Sequence, residues 1–473
     1  MGYPRTVNPA TSSPSRQSVA LLLVATAAVG AWLWTCLCRY PLHDWNEMRL
    51  APSFMWVAGL NPYPGPAGGP VTTWVYGPVP ILLQLPAVLA SNVVSALLIA
   101  AVINLLIALV PLRFALRAQA PPLTDGMTQA WALLLALAAW PAVNLIFCQA
   151  DNAAIGLGLA ASALLVGAGP RTPARLWLAA GAATLALWSK QTEVGPVLGQ
   201  LAYFAVRFGW RKAAAQLGRC AATGGLVGLV FCGFFGAEGL IYNLFVLPGS
   251  FPWIPLGIKI ADPGYRLHVL AYLLAYLAGP LLLLIGLRRA VFHRDSAVLL
   301  PALVFLFSVP FNLTGFLTVG GNVNSWHAAV YLLPAAALWL ARRPHFAAVS
   351  LLVILGCQAA VERPLRWRPA VNGLRQGQAL AAQLPGQVYF PWNPLLSFFA
   401  DHRFDHAEDG LLTRAAAGRP VPLKTVQSFL PPKMCVVAYH GAAVDGYVRS
   451  LIPAGARQDP FGEWMIYSWT PSK

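Results

Sequence analysis

Charge is what this 473-residue chain has least of. Only 10% of its residues are Asp, Glu, Lys or Arg, against roughly 25% in soluble domains, while 58% are hydrophobic. That scarcity excludes an ordinary soluble domain. Cysteine is scarce as well: of the seven, Cys435 alone lies beyond Glu362, so neither a disulfide framework nor a CxxC zinc site can be drawn. A Walker-type phosphate loop, a Rossmann glycine fingerprint and an HExxH pair are all missing, which leaves nucleotide-dependent and zinc-protease readings without residues. Tandem repeats and low-complexity tracts are absent too. The 16 Asp and Glu are outnumbered by 32 Lys and Arg, a formal charge of +16. In a soluble chain this would suggest nucleic acid. In a membrane chain basic residues crowd the cytoplasmic loops, so the charge has to be placed on a topology first.

What the chain has in abundance is long apolar sequence. A spanning helix needs about 20 mostly apolar residues. On that criterion about eleven spans are expected, near 18–38, 93–112, 129–147, 152–168, 174–189, 194–207, 219–236, 267–287, 296–310, 326–341 and 345–361. The first continues through Trp32 and Trp34 to Cys38, too long for a cleaved signal segment. The short spans near Gln191 and Phe311 are expected to begin as tilted or broken helices, tolerated where freed backbone is buried or lines a wet cavity. With the N-terminus inside, fifteen Lys and Arg fall in cytoplasmic segments and five in the short outer loops, the other twelve lying after Val361. This bias sets the N-terminus in the cytoplasm and the C-terminus outside. Acids divide the other way: Asp44, Glu47, Asp151, Glu193, Glu238 and Asp262 are all placed at the outer face. Chemistry that needs a carboxylate is therefore expected there.

The expected fold is an all-α polytopic membrane protein over residues 1–361, followed by a small extracytoplasmic α/β domain over 362–473. In the latter, Gln387–Phe390, Met434–Ala438 and Trp464–Trp469 read as strands. The expected location is the cytoplasmic (inner) membrane.

The outer loop 39–92 is the most informative stretch. It opens with Asp44 and Glu47, three residues apart, followed by Met48–Gly59, which reads as an interfacial helix. Then come Asn61-Pro62-Tyr63 and, before the second span, Tyr76-Gly77-Pro78. An Asp soon after the first helix, an interfacial helix, a Gly-x-Asn-Pro-Tyr turn (Gly59–Tyr63) and a Tyr-x-Pro resemble the glycosyltransferases of the C superfamily (GT-C). These are polytopic enzymes that take a sugar from a polyprenyl-phosphate donor on the outer face. Cys148-Gln149-Ala150-Asp151-Asn152 is similar to the Gly-Gln-x-Asn turn of the polyprenol-phosphate-mannose-dependent α-mannosyltransferase branch, with Cys148 in place of Gly. Lys190 followed by Pro196 matches that branch's Lys-then-Pro segment with wider spacing. The likeness covers about the first 340 residues.

What the resemblance implies agrees with the chemistry. Sugar transfer from a lipid phosphate needs a base for the acceptor hydroxyl, and cations or N–H donors for the departing phosphate. Asp44 is the expected base; an ion pair with Arg39 or Arg49 is its plain alternative. Lys190 and His327 are the expected phosphate ligands, with Arg266 a third. Lys190 alternatively snorkels, His327 packs at a capped helix start, and Arg266 pairs with Asp262. Glu47, Tyr63, Tyr76, Gln149 and Asn152 are expected around the acceptor or the sugar, and Trp74, Trp253, Trp326 and Tyr331 are further aromatics available for stacking. Partners are thus a polyprenyl-phosphate-linked sugar, mannose being the one the branch points to, and a lipid or glycan acceptor, with no nucleic acid. No cofactor and no metal are expected; His402 and His406, at i and i+4 beside acids, are compatible with a metal but read better as a solvated helix start. A transporter or flippase, or a scaffold whose outer domain does the binding, are the rival classes. The first lacks charges at mid-membrane and inverted repeats, and the second leaves the Asp44 loop unexplained.

Overall fold

The computed structural model describes residues 16–72, 74–120, 124–140, 145–166, 172–267, 269–270, 297–361, 367–440 and 447–470. The expected span 267–287, His268 and the 362 boundary lie almost wholly outside them. Among the described residues, four helices are long and apolar enough to cross a membrane. They belong to α1 (Arg16–Arg39), α3 (Val93–Gln119), α8 (Trp210–Phe235) and α9 (Leu299–Phe316). Shorter apolar helices stand among them: α4 (Gly126–Ala138), α5 (Ala150–Val166), α6 (Pro173–Ser189), α7 (Gly195–Phe208), α10 (Leu333–Ala341) and α11 (Pro344–Val361). The chain is a multi-pass, mostly helical membrane protein. Leu23, Val24, Leu226, Leu229, Phe234 and Leu352 are exposed on helices that are apolar all round, as lipid-facing helices are.

Small residues bring the helices together, since lipid tails offer no hydrophobic drive between them. A Cβ on Gly156 of α5 would lie 2.5 Å from the carbonyl oxygen of Ile107 in α3, and one on Gly195 of α7 would lie 1.8 Å from Ser308 Oγ in α9. Two expectations need correction. The span foreseen at 129–147 ends as a helix at Ala138. The one foreseen to break near Phe311 instead runs through Pro310 to Phe316; the irregular stretch follows it, as a turn and then a 3-10 segment, Val323–Leu332, bent at Trp326. At Gln191 the chain does break, between Ser189 and Gly195.

After Trp367 come α12 (Trp367–Gln383), α13 (Pro394–Asp401) and α14 (Glu408–Ala416), with a four-stranded sheet. Its strands are β1 (Val388–Tyr389), β2 (Val436–His440), β3 (Arg457–Phe461) and β4 (Trp464–Ser468), in the order β1-β2-β4-β3. β1 runs parallel to β2; the β2–β4 and β4–β3 pairs are antiparallel. The polar edge strand β3, containing Pro460, was not foreseen.

The helix expected on the membrane surface begins earlier, as α2 (Asp44–Val57), with His43 as its N-cap. It is not an open interfacial helix. Its Leu50, Ala51, Phe54 and Met55 are buried with residues of α3, α12 and α13, and Phe54 meets the rings of Phe398 and Phe399 edge-on at 5.3 and 5.6 Å. Apolar residues on more than one face of α2 require cover on more than one side, and the C-terminal unit supplies it. Arg414 of α14 clamps the carbonyls of Pro64, Gly65 and Pro66 at 3.0–3.2 Å, and His406 accepts the Val71 N–H at 2.9 Å.

The glycine contacts carry a stability prediction. Gly195→Ala should cost about 1–3 kcal/mol through overpacking against α9, read as a lower melting temperature in detergent. Gly181→Ala, on an open face of α6, should leave it unchanged or raise it.

Candidate active site

The break between α6 and α7 turns Lys190 inward. There Lys190 is only 7% exposed, and its Nζ donates to Asp151 Oδ1 at 2.5 Å, Asp151 lying fully buried at the start of α5. His327 joins them, with Nδ1 3.2 Å from Asp151 Oδ1 and Nε2 2.5 Å from Glu193 Oε2. The Tyr331 hydroxyl donates to Glu193 Oε1 at 2.7 Å. Five buried ionisable groups thus satisfy one another, which is the condition under which buried charge is tolerated.

Above this network lies a cavity of about 220 Å³, lined in part by Trp45, Arg49, Tyr76, Lys190, Gln191, Thr314, Gly320, Asn322 and Asp409. Arg49 reaches it from α2, its guanidinium 5.0 Å from the Tyr76 ring centre and 5.5 Å from that of Trp45. Its Nε and Nη1 are buried and meet no hydrogen-bond partner among the described residues. Gln191, anchored to the carbonyls of Val75 and Leu244 at 2.9 and 3.2 Å, also lines a second, almost wholly apolar cavity of about 390 Å³ between α6, α7 and α8, with Trp188, Val197, Leu217 and Phe245.

Asp44 opens α2, the helix that carries Trp45 and Arg49 to the cavity. Its side chain is 24% exposed and meets two residues of the C-terminal unit: Asn393 Nδ2 at 3.2 Å and His440 Nδ1 at 3.3 Å, both on Oδ1. Asn393 also donates to Glu47 Oε1 at 2.8 Å. Glu47 is fully buried at the start of α13, and that burial pushes its carboxyl up to about 8, against the hydrogen bond of Asn393. Burial thus favours the neutral form of Glu47.

The remaining expected residues are spread out. Tyr76 lines the cavity. Tyr63 is fully buried, receiving Trp74 Nε1 at 3.1 Å and donating to the Tyr76 carbonyl at 2.8 Å, so it shapes the loop and offers no surface to a sugar. Asn152 is likewise fully buried, donating to the Asn104 carbonyl of α3 at 2.5 Å. Gln149 stands half-buried in the same turn, which is fixed to α2 by Asn46 Oδ1 accepting the Cys148 N–H at 2.8 Å. His327 is held between the Asp151 and Glu193 carboxylates and is 1% exposed, so its ring does not reach the cavity wall. Arg266 is exposed and bonds the Ile260 carbonyl of its own loop at 3.1 Å. Trp253 is exposed, Trp326 packs on Phe316, and Tyr331 belongs to the buried network. His406 is engaged by Val71 and Thr425, and burial lowers it to about 4; no cluster fit for a metal exists among the described residues. Arg49, Asn393, His440 and Asp409 are the additions that the sequence did not single out for the site. Arg49, five residues after Asp44, had the one available signal: it is the single cation on that short helix.

No family model matches the sequence, and no curated protein is significantly similar to it. Solved structures do match. ArnT from Cupriavidus metallidurans bound to undecaprenyl phosphate superposes with a TM-score of 0.60 at 12% identity, over 96% of this chain and 98% of that one. In its apo state the score is 0.57 at 13% identity, over 95% and 97%. The Archaeoglobus fulgidus oligosaccharyltransferase in complex with zinc and sulfate, at a TM-score of 0.40 and 14% identity over 89% and 68%, is too distant to support anything further. The chain therefore shares the fold of ArnT, in line with the resemblance read from its sequence.

The buried network makes a prediction of its own. Asp151→Ala strands the Lys190 charge and should lower stability by about 3–5 kcal/mol, whereas Asp151→Leu combined with Lys190→Met should recover most of it. Unfolding in detergent measures both.

Proposed function

We propose that the protein is a glycosyltransferase that moves a monosaccharide from a polyprenyl-phosphate donor to a hydroxyl of a lipid or glycan acceptor on the outer face of the membrane. The observation that carries the reading is a cavity lined by a buried Lys190 and a half-buried Arg49, with Gln191 in the wall of both it and an apolar cavity between helices. A phosphate with a long isoprenoid tail is a ligand whose two halves need those two environments. The likeness to ArnT, whose structure was solved with undecaprenyl phosphate, supports the same donor class.

In this reading the donor phosphodiester lies between Arg49 and Lys190, with its tail in the apolar cavity. Asp44 takes the proton of the acceptor hydroxyl as the oxygen attacks the anomeric carbon. The sugar–phosphate bond breaks on the opposite side, and one displacement inverts the configuration. The leaving phosphate gains a negative charge that the diester lacked. The two cations therefore hold the departing group more strongly than the donor, which is the differential binding that lowers a barrier. Lys190 is kept in place by Asp151, which His327 also contacts. The α-mannosyltransferase likeness of the Cys148–Asn152 turn makes mannose the first sugar to test.

Purified protein incubated with radiolabelled polyprenyl-phosphate mannose and extracted envelope lipids and glycans should transfer label. Asp44→Asn should lower the rate by roughly 10²–10⁴-fold with donor binding kept. Arg49→Ala should weaken donor binding roughly ten- to hundredfold, the worth of a charge-assisted contact. Full transfer by Asp44→Asn removes the base assignment, and unlabelled flux of the donor across proteoliposomes without chemical change selects a transporter instead.

A further inference from the structure

The contacts of the C-terminal unit put it against the carboxylate proposed as the base. Two of its side chains converge on a single oxygen of Asp44: Asn393, in the turn before α13, and His440, at the end of β2. They come from the same end of one small sheet, since β1 runs parallel to β2, Asn393 follows β1, and His440 closes β2.

The His440 ring is confined. From β4 the Trp464 ring packs on it at 5.2 Å between centres, and from α12 Gly373 closes so tightly on Nε2 that a Cβ there would lie 2.7 Å away. Nδ1 is left to face Asp44. The charged groups that act on this imidazole are Asp44 on α2 and Glu463 in the β3–β4 turn, and both are acids. The hydrogen bond to Asp44 raises the proton affinity of His440 above its ordinary value, burial works against it, and the charges of Asp44 and Glu463 add to the rise.

Resting on the reading of Asp44 as the base, we propose that His440 is a positioning residue of the C-terminal unit that holds Asp44 and gates its strength as a base through its own charge. While His440 is protonated, the cation 3.3 Å away stabilises the Asp44 carboxylate, and that stabilisation is lost as the carboxylate takes up the acceptor proton. Loss of the His440 proton removes the handicap. The neutral ring with its hydrogen on Nδ1 still donates to Asp44, so geometry is kept while basicity rises. Two pH dependences of opposite sign follow. The raised proton affinity of folded His440 contributes docking stability that is complete below about 6.5, its ordinary value, and is lost as pH rises through the raised one. Activity climbs over the same window.

The test is the pH profile of sugar transfer. In the wild type the acid limb should titrate above about 6.5, with activity about three- to tenfold lower on its protonated side. His440→Gln keeps a donor for Asp44 and cannot become charged, so it should flatten that limb; a limb unchanged in His440→Gln overturns the proposal. A second measurement needs no substrate. The 13Cε1 resonance of His440 in the full-length protein should titrate above its ordinary value and return toward it in Asp44→Asn; the same titration in both proteins overturns the coupling. Activity surviving in Asp44→Asn would instead remove the base reading, so the two failures are distinguishable.

Discussion

Lys190 has its charge where almost no water reaches, and Asp151 is the group that makes this tolerable. An ammonium at 7% exposure costs several kcal/mol unless an anion meets it. The carboxylate that does so stands at the first turn of α5, itself fully buried. Everything around the cavity is arranged by that need. The chain must break between α6 and α7 to bring Lys190 in, Gly77 must lack a side chain so that loop 39–92 can lie on Trp188 and Ser189, and His327 must stand beside Asp151 to share its charge. The result is a cation fixed at the floor of a cavity, with no freedom to withdraw to the surface.

The second cation arrives by a different route. Arg49 rides on α2, and α2 is fixed because it is covered on both sides, by α3 and by the C-terminal unit. The Arg414 clamp and the His406 contact hold loop 39–92 to that unit, while Asn46 ties the same helix to the Cys148 turn. Apolar helices and C-terminal unit thus wall one cavity between them. A unit that looked in sequence like an appended domain supplies the contacts of Asp44 and Glu47 and contributes Asp409 to the cavity wall.

The helical part of this architecture was legible because its signal is compositional: long apolar runs, basic residues biased to one side, and a polar loop with two carboxylates. Asp44, Lys190 and Tyr76 stood out for the same reason, being polar or amphipathic residues at ends of apolar segments. What escaped depended on contacts across hundreds of residues. Nothing near Asn393 or His440 marks them, since their meaning comes from Asp44 lying more than 340 residues earlier in the chain. Tyr63 and Asn152 carry the right chemistry but face inward, and only packing distinguishes a buried tyrosine that braces a loop from one that stacks on a ligand. The edge strand β3 was invisible because its polar, Pro-containing sequence has no strand periodicity.

The central claim is that Arg49 and Lys190 form one phosphate site at the mouth of an apolar groove. A structure of the protein with polyprenyl phosphate in nanodiscs tests it most directly. The account predicts phosphate density within hydrogen-bonding distance of both Lys190 Nζ and the Arg49 guanidinium, with the isoprenoid running past Gln191 between α6, α7 and α8. A phosphate bound away from those two side chains, or a tail lying outside that groove, would contradict it.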